Sequence, residues 1–336
     1  MKTLINHCVC VLVILGFLTS CSAPASSVGP AIPTSTLLPT VVPSSIPTMK
    51  LPTVTPVLKP TTSTPASELP TDTPVLKPTP TASALRATPA PTLTDDEEQT
   101  LVLDLLKKNG ECQLPCWWGF TPGKTSWQIA ESFFVSAGKK IGKYRDSQTT
   151  IYTIYFHIPL HGSQINQDYY TVNDDTIDVI TISAVPPTRN GELVYGDAQF
   201  ARDWRSYTLP QLLTDYGQPQ QIFLRTFSDT PTGWLPFNLL LFYPEQGILV
   251  SYYGPAEKDK GTLRACLNQT DVRLWLWSPE HTMSLERLAN MGSSPIGNMA
   301  GFRRLEEATG MSVEQFYQSF VQPNNKRCLE TPADMW

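Results

Sequence analysis

Two groups of residues have types and spacings that could hold a phosphate or a metal. Residues 119–125 carry glycine, lysine and threonine in the order of a phosphate-binding loop, but three residues separate the glycines where that loop has four. His157 and His161 have the i, i+4 spacing of a zinc pair on a helix, but His157 lies in a predicted strand and Pro159 separates the two. In a strand this spacing puts side chains about 13 Å apart, too far to share a metal. We therefore predict no nucleotide site, no metal site and no cofactor.

Carboxylate side chains are the other candidates for a metal site or a catalytic site. Asp174, Asp175 and Asp178 could supply oxygens to a calcium ion, but the glycine and terminal glutamate of a calcium loop are missing, so we interpret them as solvated turn residues. The chain has no Gly-x-Ser-x-Gly motif. A glycosidase-type carboxylate pair has no local signature. No catalytic residue is predicted, and an envelope hydrolase with an unrecognised acidic or serine site stays open as the alternative.

The first 20 residues have the parts of a signal peptide: basic Lys2, an apolar stretch at residues 9–18, and small polar residues after it. The stretch is shorter than the roughly 20 apolar residues that cross a bilayer. Its end, Leu-Thr-Ser-Cys at residues 18–21, resembles the lipobox of bacterial lipoproteins. That resemblance implies cleavage before Cys21, lipidation of Cys21, and a lipid anchor on the extracytoplasmic face of the cell membrane, at the cell surface or in the periplasm. An ordinary secretory signal is the alternative.

The cysteines fit an exported protein. Of the seven, Cys8 and Cys10 lie in the predicted signal and Cys21 is the predicted lipidation site, which leaves Cys112, Cys116, Cys266 and Cys328. An even number outside the cytoplasm favours disulfides. We predict that Cys112 pairs with Cys116, because Gln-Leu-Pro between them can form a tight turn, and that Cys266 pairs with Cys328. A zinc site made of all four is the alternative.

Residues 21–93 form a predicted disordered linker. Sixteen of the 31 prolines lie between Pro24 and Pro91, among Thr, Ser, Ala and Val, and the segment has no aromatic residue. This composition cannot bury enough apolar surface to offset the entropy of ordering. A ten-residue stretch beginning at Pro52 recurs at Pro70 with one difference, which we interpret as expansion of a spacer.

Residues 94–336 contain every Trp and Tyr and form the predicted head, of α+β class with helices packed on an antiparallel sheet. We expect a helix from a capping box at residues 125–128 with Ile129, Phe133 and Phe134 as its apolar side. Further helices are expected at residues 94–107, 208–216, 284–290, 302–309 and 312–321. Strands are expected at residues 151–158, 176–185, 221–227, 237–243, 247–253 and 272–277.

Helix followed by antiparallel strands occurs twice in this pattern. It predicts two tandem modules, residues 112–187 and 204–255, and a C-terminal part at residues 262–336. The order resembles the tandem modules of beta-lactamase-inhibitor-like proteins and small outer-membrane-assembly lipoproteins, on the segments Gly-Lys-Thr at 123–125 and Gly-Gln-Pro at 217–219. The first module lacks Gly-x-Pro, and the second lacks the opening glycine. The resemblance implies a sheet face that contacts protein partners; an unrelated two-layer domain is the alternative.

Aromatic side chains are the remaining candidates for binding. Trp275 and Trp277 share one face of a predicted strand, and the tyrosine doublets at 169–170 and 252–253 place one ring on each side of a strand. We name Trp275, Trp277, Tyr252 and Tyr170 as candidate ligand-facing rings, which could stack on the sugars of a wall polymer or glycan. Packing in the core is the alternative.

Charge excludes one class of partner. The formal net charge is −5 and the mature chain has no basic cluster, which argues against nucleic-acid binding. The sequence therefore favours a non-catalytic, membrane-anchored protein whose partner, besides the bilayer that holds Cys21, is a protein, a wall polymer or a glycan.

Overall fold

The computed structural model describes residues 93–336, except 147–148, 159–161, 173–174, 294 and 323–326. The predicted signal peptide, Cys21, the predicted linker up to residue 92, His161 and Asp174 lie outside the described residues. The described part has the predicted α+β class, with an eleven-stranded antiparallel sheet at its centre. Its helices are α1 (Asp95–Lys108), α2 (Trp127–Ser136), α3 (Ala198–Asp203), α4 (Leu209–Tyr216), α5 (Leu285–Ala289), α6 (Leu305–Thr309) and α7 (Val313–Phe320). Its strands are β1 (Ile141–Asp146), β2 (Thr149–Ile158), β3 (Ser163–Val172), β4 (Ile177–Val185), β5 (Thr188–Arg189), β6 (Glu192–Leu193), β7 (Gln221–Arg225), β8 (Leu235–Tyr243), β9 (Ile248–Asp259), β10 (Thr262–Cys266), β11 (Asp271–Trp277), β12 (Arg303–Arg304) and β13 (Cys328–Pro332).

The sheet contains the same arrangement twice. Helix α2 precedes the meander β1 to β4, and α4 precedes β7, β8, β9 and β11, while β10 projects from the second unit to pair with β9 and β13. The strand order is β1-β2-β3-β4-β11-β9-β8-β7-β12, so the two four-stranded units join where β4 and β11 pair antiparallel. The predicted repeat of helix and antiparallel strands is therefore present. Each copy extends beyond a single hairpin to four strands, and both copies belong to one sheet.

One face of the sheet, here called the first face, is covered by helices. Buried residues of every helix except α5 join one apolar cluster with the inward side chains of the strands. In the first unit the Trp127 indole stacks on Tyr152, with ring centres 3.7 Å apart and planes 11° from parallel. Burial of such large apolar surfaces is the main term that stabilises the fold.

Helix α2 begins and faces differently from the prediction. Its N-cap is Ser126, which makes no capping hydrogen bond, while the Thr125 hydroxyl accepts from the Thr121 amide. The buried residues of α2 include Ala130 and Phe134, whereas Ile129 is 61% exposed. The predicted capping box is wrong because the Thr125 side chain is already used in the preceding turn.

The hairpin of β8 and β9 forms as predicted, with Tyr243 opposite Ile248. Gly247 lies in its turn at φ +71° and its carbonyl accepts from the Trp277 amide at 3.0 Å. A Cβ at this position would lie 2.1 Å from the Trp277 carbonyl oxygen. Glycine is therefore required both for the backbone angle and for the close approach to β11.

Both predicted disulfides are present, Cys112 with Cys116 and Cys266 with Cys328. The second joins directly opposite residues of β10 and β13. Because all four cysteines are consumed in two separate bonds, the alternative of a zinc site built from them is excluded.

Candidate functional site

The four rings named from the sequence are all buried. Trp275 and Trp277 are each 1% exposed on the second face of the sheet, where residues 283–302, including α5, pack over them; we call this segment the outer layer. Tyr170 lies beneath the same layer, and Tyr252 lies on the first face with its hydroxyl donating to the Tyr207 carbonyl at 3.0 Å. Each of the four rings is therefore covered by helices or by the outer layer, so none presents a free face at the protein surface on which a sugar could stack.

Hydrogen bonds fix the outer layer to the sheet. The Trp275 indole N–H donates to the Met291 carbonyl at 3.0 Å, and the Tyr170 hydroxyl accepts from the Gly292 amide. The buried Asp168 carboxylate accepts from the Ser293 amide at 2.6 Å. These contacts explain why polar atoms of Trp275 and Tyr170 are satisfied without a ligand.

The outer layer covers only the apolar half of the second face. Arg225, at the end of β7, marks its margin: the guanidinium donates to the carbonyls of Ile296 and Asn298 and lies over the Phe302 ring. Beyond this margin the second face becomes polar. A row of small polar side chains crosses the strands there, formed by Asn166, Ser183, Ser251 and Asn238.

An ion pair and three aromatic rings stand on this uncovered half. We call Tyr195, Trp234, Tyr253, Asp271 and Arg273 the Tyr253 patch. Tyr253 is on β9 directly opposite Asp271 on β11, Arg273 is two residues further along β11, Trp234 precedes β8, and Tyr195 follows β6. Four separate segments therefore converge on the patch, three from the second unit and one, with Tyr195, from the connection between the units.

The ion pair forms the inner part of the patch. The Arg273 Nη2 donates to Asp271 Oδ2 at 3.0 Å, and the guanidinium carbon lies 4.9 Å from the centre of the Tyr253 ring. Such cation–π contact adds to the hydrogen bond in orienting the guanidinium. Asp271 is buried and Arg273 is half-buried, so the pair is shielded from solvent on the sheet side.

The rings form the outer part. Trp234 is 39% exposed, and its centre is 5.7 Å from that of Tyr253 and 6.4 Å from that of Tyr195. The Trp234 and Tyr195 planes are 25° from parallel, so these rings stack on each other. The result is an amphipathic surface with an exposed indole beside a partly buried charge pair.

Burial sets the protonation behaviour of the patch. It raises the pKa of Asp271 from its ordinary 3.8 to about 6, and Arg273 and the Tyr253 backbone amide offset only part of this effect. Burial, and then the negative charge of Asp271, raise the pKa of Tyr195, and burial also raises that of Tyr253. At neutral pH the patch therefore contains neutral phenols, a carboxylate and a guanidinium.

The other sites considered from the sequence are not assembled. In the segment that resembles a phosphate-binding loop, the Gly123 amide donates to the Ile177 carbonyl and the Lys124 and Thr125 amides donate to the Thr121 carbonyl, so these donors are used internally. Asp178 contacts His281 at 3.0 Å and Arg287 at 3.9 Å. Across the described part of the chain, no group of three or more His, Cys, Asp and Glu side chains is placed to hold a metal ion.

Sequence reasoning missed four residues of the patch and chose the wrong member of a doublet. Alternation correctly places Tyr252 and Tyr253 on opposite faces, but it is Tyr253 that stands on the uncovered side. The same alternation puts Asp271 and Arg273 on the face of Trp275 and Trp277, which is the signal that could have found them. Tyr195 and Trp234 lie outside the sheet in flanking loops, where the alternation of a strand does not predict which way a side chain points.

Comparisons of the chain with protein-family models, with curated proteins and with solved structures gave no match. Within the described ranges, none of the helices combines the length and the apolar character that a bilayer crossing requires.

Proposed function

We propose that the chain is a lipoprotein anchored through Cys21 to the extracytoplasmic face of a cell membrane, and that its head binds a protein partner through the Tyr253 patch without catalysis. The supporting observation is the incomplete outer layer, which buries the apolar part of the second face and leaves Trp234 exposed and Tyr253 and Arg273 half-buried on the other part. Trp, Tyr and Arg are the side chains that most often dominate the binding energy of protein interfaces.

The geometry favours a protein over a wall polymer or glycan. A sugar ring stacks on a free aromatic face, but Tyr195 and Trp234 stack on each other and the Arg273 guanidinium lies over Tyr253. Each of these rings therefore already has a neighbour on one face, which favours contacts with a polypeptide over stacking on a sugar. The resemblance to tandem modules that present a sheet face to proteins supports the same conclusion.

The charge arrangement favours binding over hydrolysis at the patch. Glycosidases use two carboxyl groups separated by about 5 to 9 Å. The pKa of Asp271 is set by burial, by Arg273 and by a backbone amide, and no second carboxylate among the described residues contributes to it. Asp271 thus has a cation as its hydrogen-bonded neighbour, which favours a role as one half of an ion pair.

One other feature bears on the hydrolase alternative. A depression of about 610 Å³ is lined by residues that include Asp95, Glu98, Lys139 and His157. Glu98 is held in an ion pair by Lys139, which competes with a role in proton transfer. If this were a hydrolytic site, the original chain would release soluble sugars or peptides from purified cell-wall material, and Glu98→Gln would abolish that release. We expect the original chain to release neither.

Site-specific photo-crosslinking tests the binding proposal. A photoreactive phenylalanine is placed at exposed Thr232, two residues from Trp234, in the full chain produced in its own membrane. We expect one crosslinked product of defined size that contains a single protein, and we expect Trp234→Ala to reduce its yield at least tenfold.

The matched control places the same photoreactive residue at Ile129, which is equally accessible but lies on α2, on the other side of the sheet. Identical products from both positions, or a Thr232 product that is unaffected by Trp234→Ala, would refute the proposal. If the crosslinked product were heterogeneous in size and became uniform after treatment with glycosidases, the patch would be assigned to a glycan instead.

A further inference from the structure

A cavity of about 180 Å³ lies on the first face of the sheet, on the opposite side from the Tyr253 patch. Its floor includes Tyr252 and Val272, whose sequence neighbours Tyr253, Asp271 and Arg273 belong to the patch. Helix α3 and the first turn of α4 form one wall. The end of α7 and the turn between β10 and β11 form the other.

The lining is mainly apolar and rich in aromatic rings. Phe200, Trp204 and Phe320 line the cavity together with Leu267, and each is at most 7% exposed. Polar side chains also border it: Asp197, Thr208, Asn268, Thr270 and Arg327. The Asp197 carboxylate already accepts from the backbone amides at the start of α3. Interiors of proteins contain few voids larger than a water molecule, so a space of this size among aromatic rings is unusual.

The rings are fixed before any ligand arrives. Trp204 stacks on Phe200 and on Trp117, with ring centres 6.0 and 6.3 Å away, and the Tyr252 hydroxyl donates to the Tyr207 carbonyl. The Cys266–Cys328 disulfide adjoins Leu267 and so ties that wall to β13. A cavity with such held walls does not need to be ordered by its ligand, which favours binding.

Volume and lining define what fits. A cavity of about 150 Å³ with apolar walls takes up benzene. A cavity of about 180 Å³ is too small for a drug-sized ligand, for which pockets of roughly 300 Å³ and more are usual. The mainly apolar, aromatic lining therefore favours a ligand of about that size with an aromatic ring.

We propose that this cavity binds a free, uncharged aromatic molecule between toluene and indole in size. The inference is independent of the proposed function, since the cavity and the patch lie on opposite faces of the sheet. Trp204 also offers the ligand a hydrogen-bond donor, because its indole N–H is buried without an acceptor among the described residues.

Ligand-detected NMR tests the proposal, with toluene and indole as separate probes and the purified full chain as the protein. We expect saturable binding of both probes, and contacts between indole protons and the methyl groups of Val272 and Leu267. Ala201 lines the cavity but is exposed on α3, so Ala201→Trp can occupy or cover the mouth without removing a core side chain. We expect Ala201→Trp to weaken both affinities at least tenfold.

Ala198→Trp is the matched control, because Ala198 is exposed on the same short helix and is not among the cavity-lining residues. It should leave both affinities within twofold of the original. The proposal fails if neither probe shows saturable binding, if the two variants have equal effects, or if the indole contacts come from residues outside the cavity. The contacts of indole with Val272 and Leu267 are measured in the original chain, so they test the proposal even if a variant folds poorly.

Discussion

Asp271 is ionised at neutral pH in a position where burial opposes its charge. Its pKa is raised to about 6 by desolvation, although Arg273 is 3.0 Å away. Below about pH 3 the carboxyl group is protonated in both the folded and the unfolded chain and makes no difference between them. Between the ordinary pKa of 3.8 and the raised pKa of about 6 the unfolded chain ionises while the folded chain still holds the proton. The contribution of Asp271 to the free energy of unfolding therefore decreases over this range and stays at its lowest value above it.

Replacement of Asp271 by Asn mimics the protonated carboxyl group at every pH. We expect Asp271→Asn to raise the free energy of unfolding at pH 7.5 by up to about 3 kcal/mol, which is the size that corresponds to the raised pKa. At about pH 3, below both pKa values, the variant and the original chain should be equally stable. Urea unfolding of the full chain, followed by tryptophan fluorescence at both pH values, measures the difference.

Asp259→Asn is the control, because Asp259 is exposed at the end of the same strand as Tyr253. It should change the stability little at either pH. A pH profile of Asp271→Asn parallel to that of the original chain would show that Asp271 does not have the raised pKa. A charged group kept at a cost in stability is expected where binding depends on it, as at the Tyr253 patch.

The choice between Tyr252 and Tyr253 shows the limit of sequence reasoning for single residues. Alternation along a strand establishes that the two rings point to opposite faces. It does not say which face is covered, because the cover of the second face comes from residues 283–302, which are distant in the sequence. The predicted ring was therefore the buried one, and the accessible ring was its neighbour.

At the scale of elements, strands with apolar alternation were predictable and polar strands were not. Strands β2, β4, β7, β8 and β11 match predicted segments closely because apolar residues recur at every second position on the helix-covered face. Strand β9 begins where predicted but continues to Asp259, six residues beyond the predicted end. Strand β3 was not predicted as an element, since it carries Gln164, Asn166, Gln167 and Asp168 on its two faces. Its position is determined by pairing with β2 and β4 and by hydrogen bonds such as that of Thr153 to Asp168.

The two disulfides constrain elements to different extents. The pair Cys112–Cys116 closes a separation of 4 residues, and Cys266–Cys328 closes one of 62 residues that contains β11 and helices α5 to α7. We expect replacement of Cys266 and Cys328 by serine to lower the free energy of unfolding by about 4 kcal/mol, and the same change at Cys112 and Cys116 by roughly 2 kcal/mol. The reason is the larger loss of unfolded-chain entropy in the longer loop.

Urea unfolding of the two double variants, each compared with the original chain, measures these differences. Each double variant is the control for the other, because both lose two sulfur atoms and one bond. An equal loss of stability in the two variants would contradict the chain-entropy explanation and would point to local packing around the shorter loop.

At the scale of the whole molecule, joining two units at β4 and β11 creates a single sheet that has two large faces. Helices of both units cover the first face, but the second face depends on one segment, the outer layer, which covers half of it. Duplication was visible in the sequence as a repeated order of helix and strands. The asymmetry that leaves the Tyr253 patch accessible was not, because only the second unit is followed by a covering segment.

The predicted anchor determines where this asymmetric head would act. If Cys21 is acylated, two or three acyl chains at about 0.8 kcal/mol per buried methylene hold the chain stably at a membrane. We expect Cys21→Ala to move most of the full chain from the membrane fraction to the soluble fraction, and to abolish incorporation of a palmitate analogue. Membrane sedimentation after an alkaline wash, with metabolic labelling of the same cells, measures both quantities.

Ser22→Ala is the appropriate control for this experiment, because it changes the adjacent side chain and leaves the Leu-Thr-Ser-Cys segment at residues 18–21 intact. It should remain labelled and sediment with membranes. Retention of Cys21→Ala in the washed membranes would exclude acylation as the anchor. Release of Cys21→Ala together with loss of the Thr232 crosslink would further indicate that the partner of the patch is reached only from the membrane, since the head itself is unchanged.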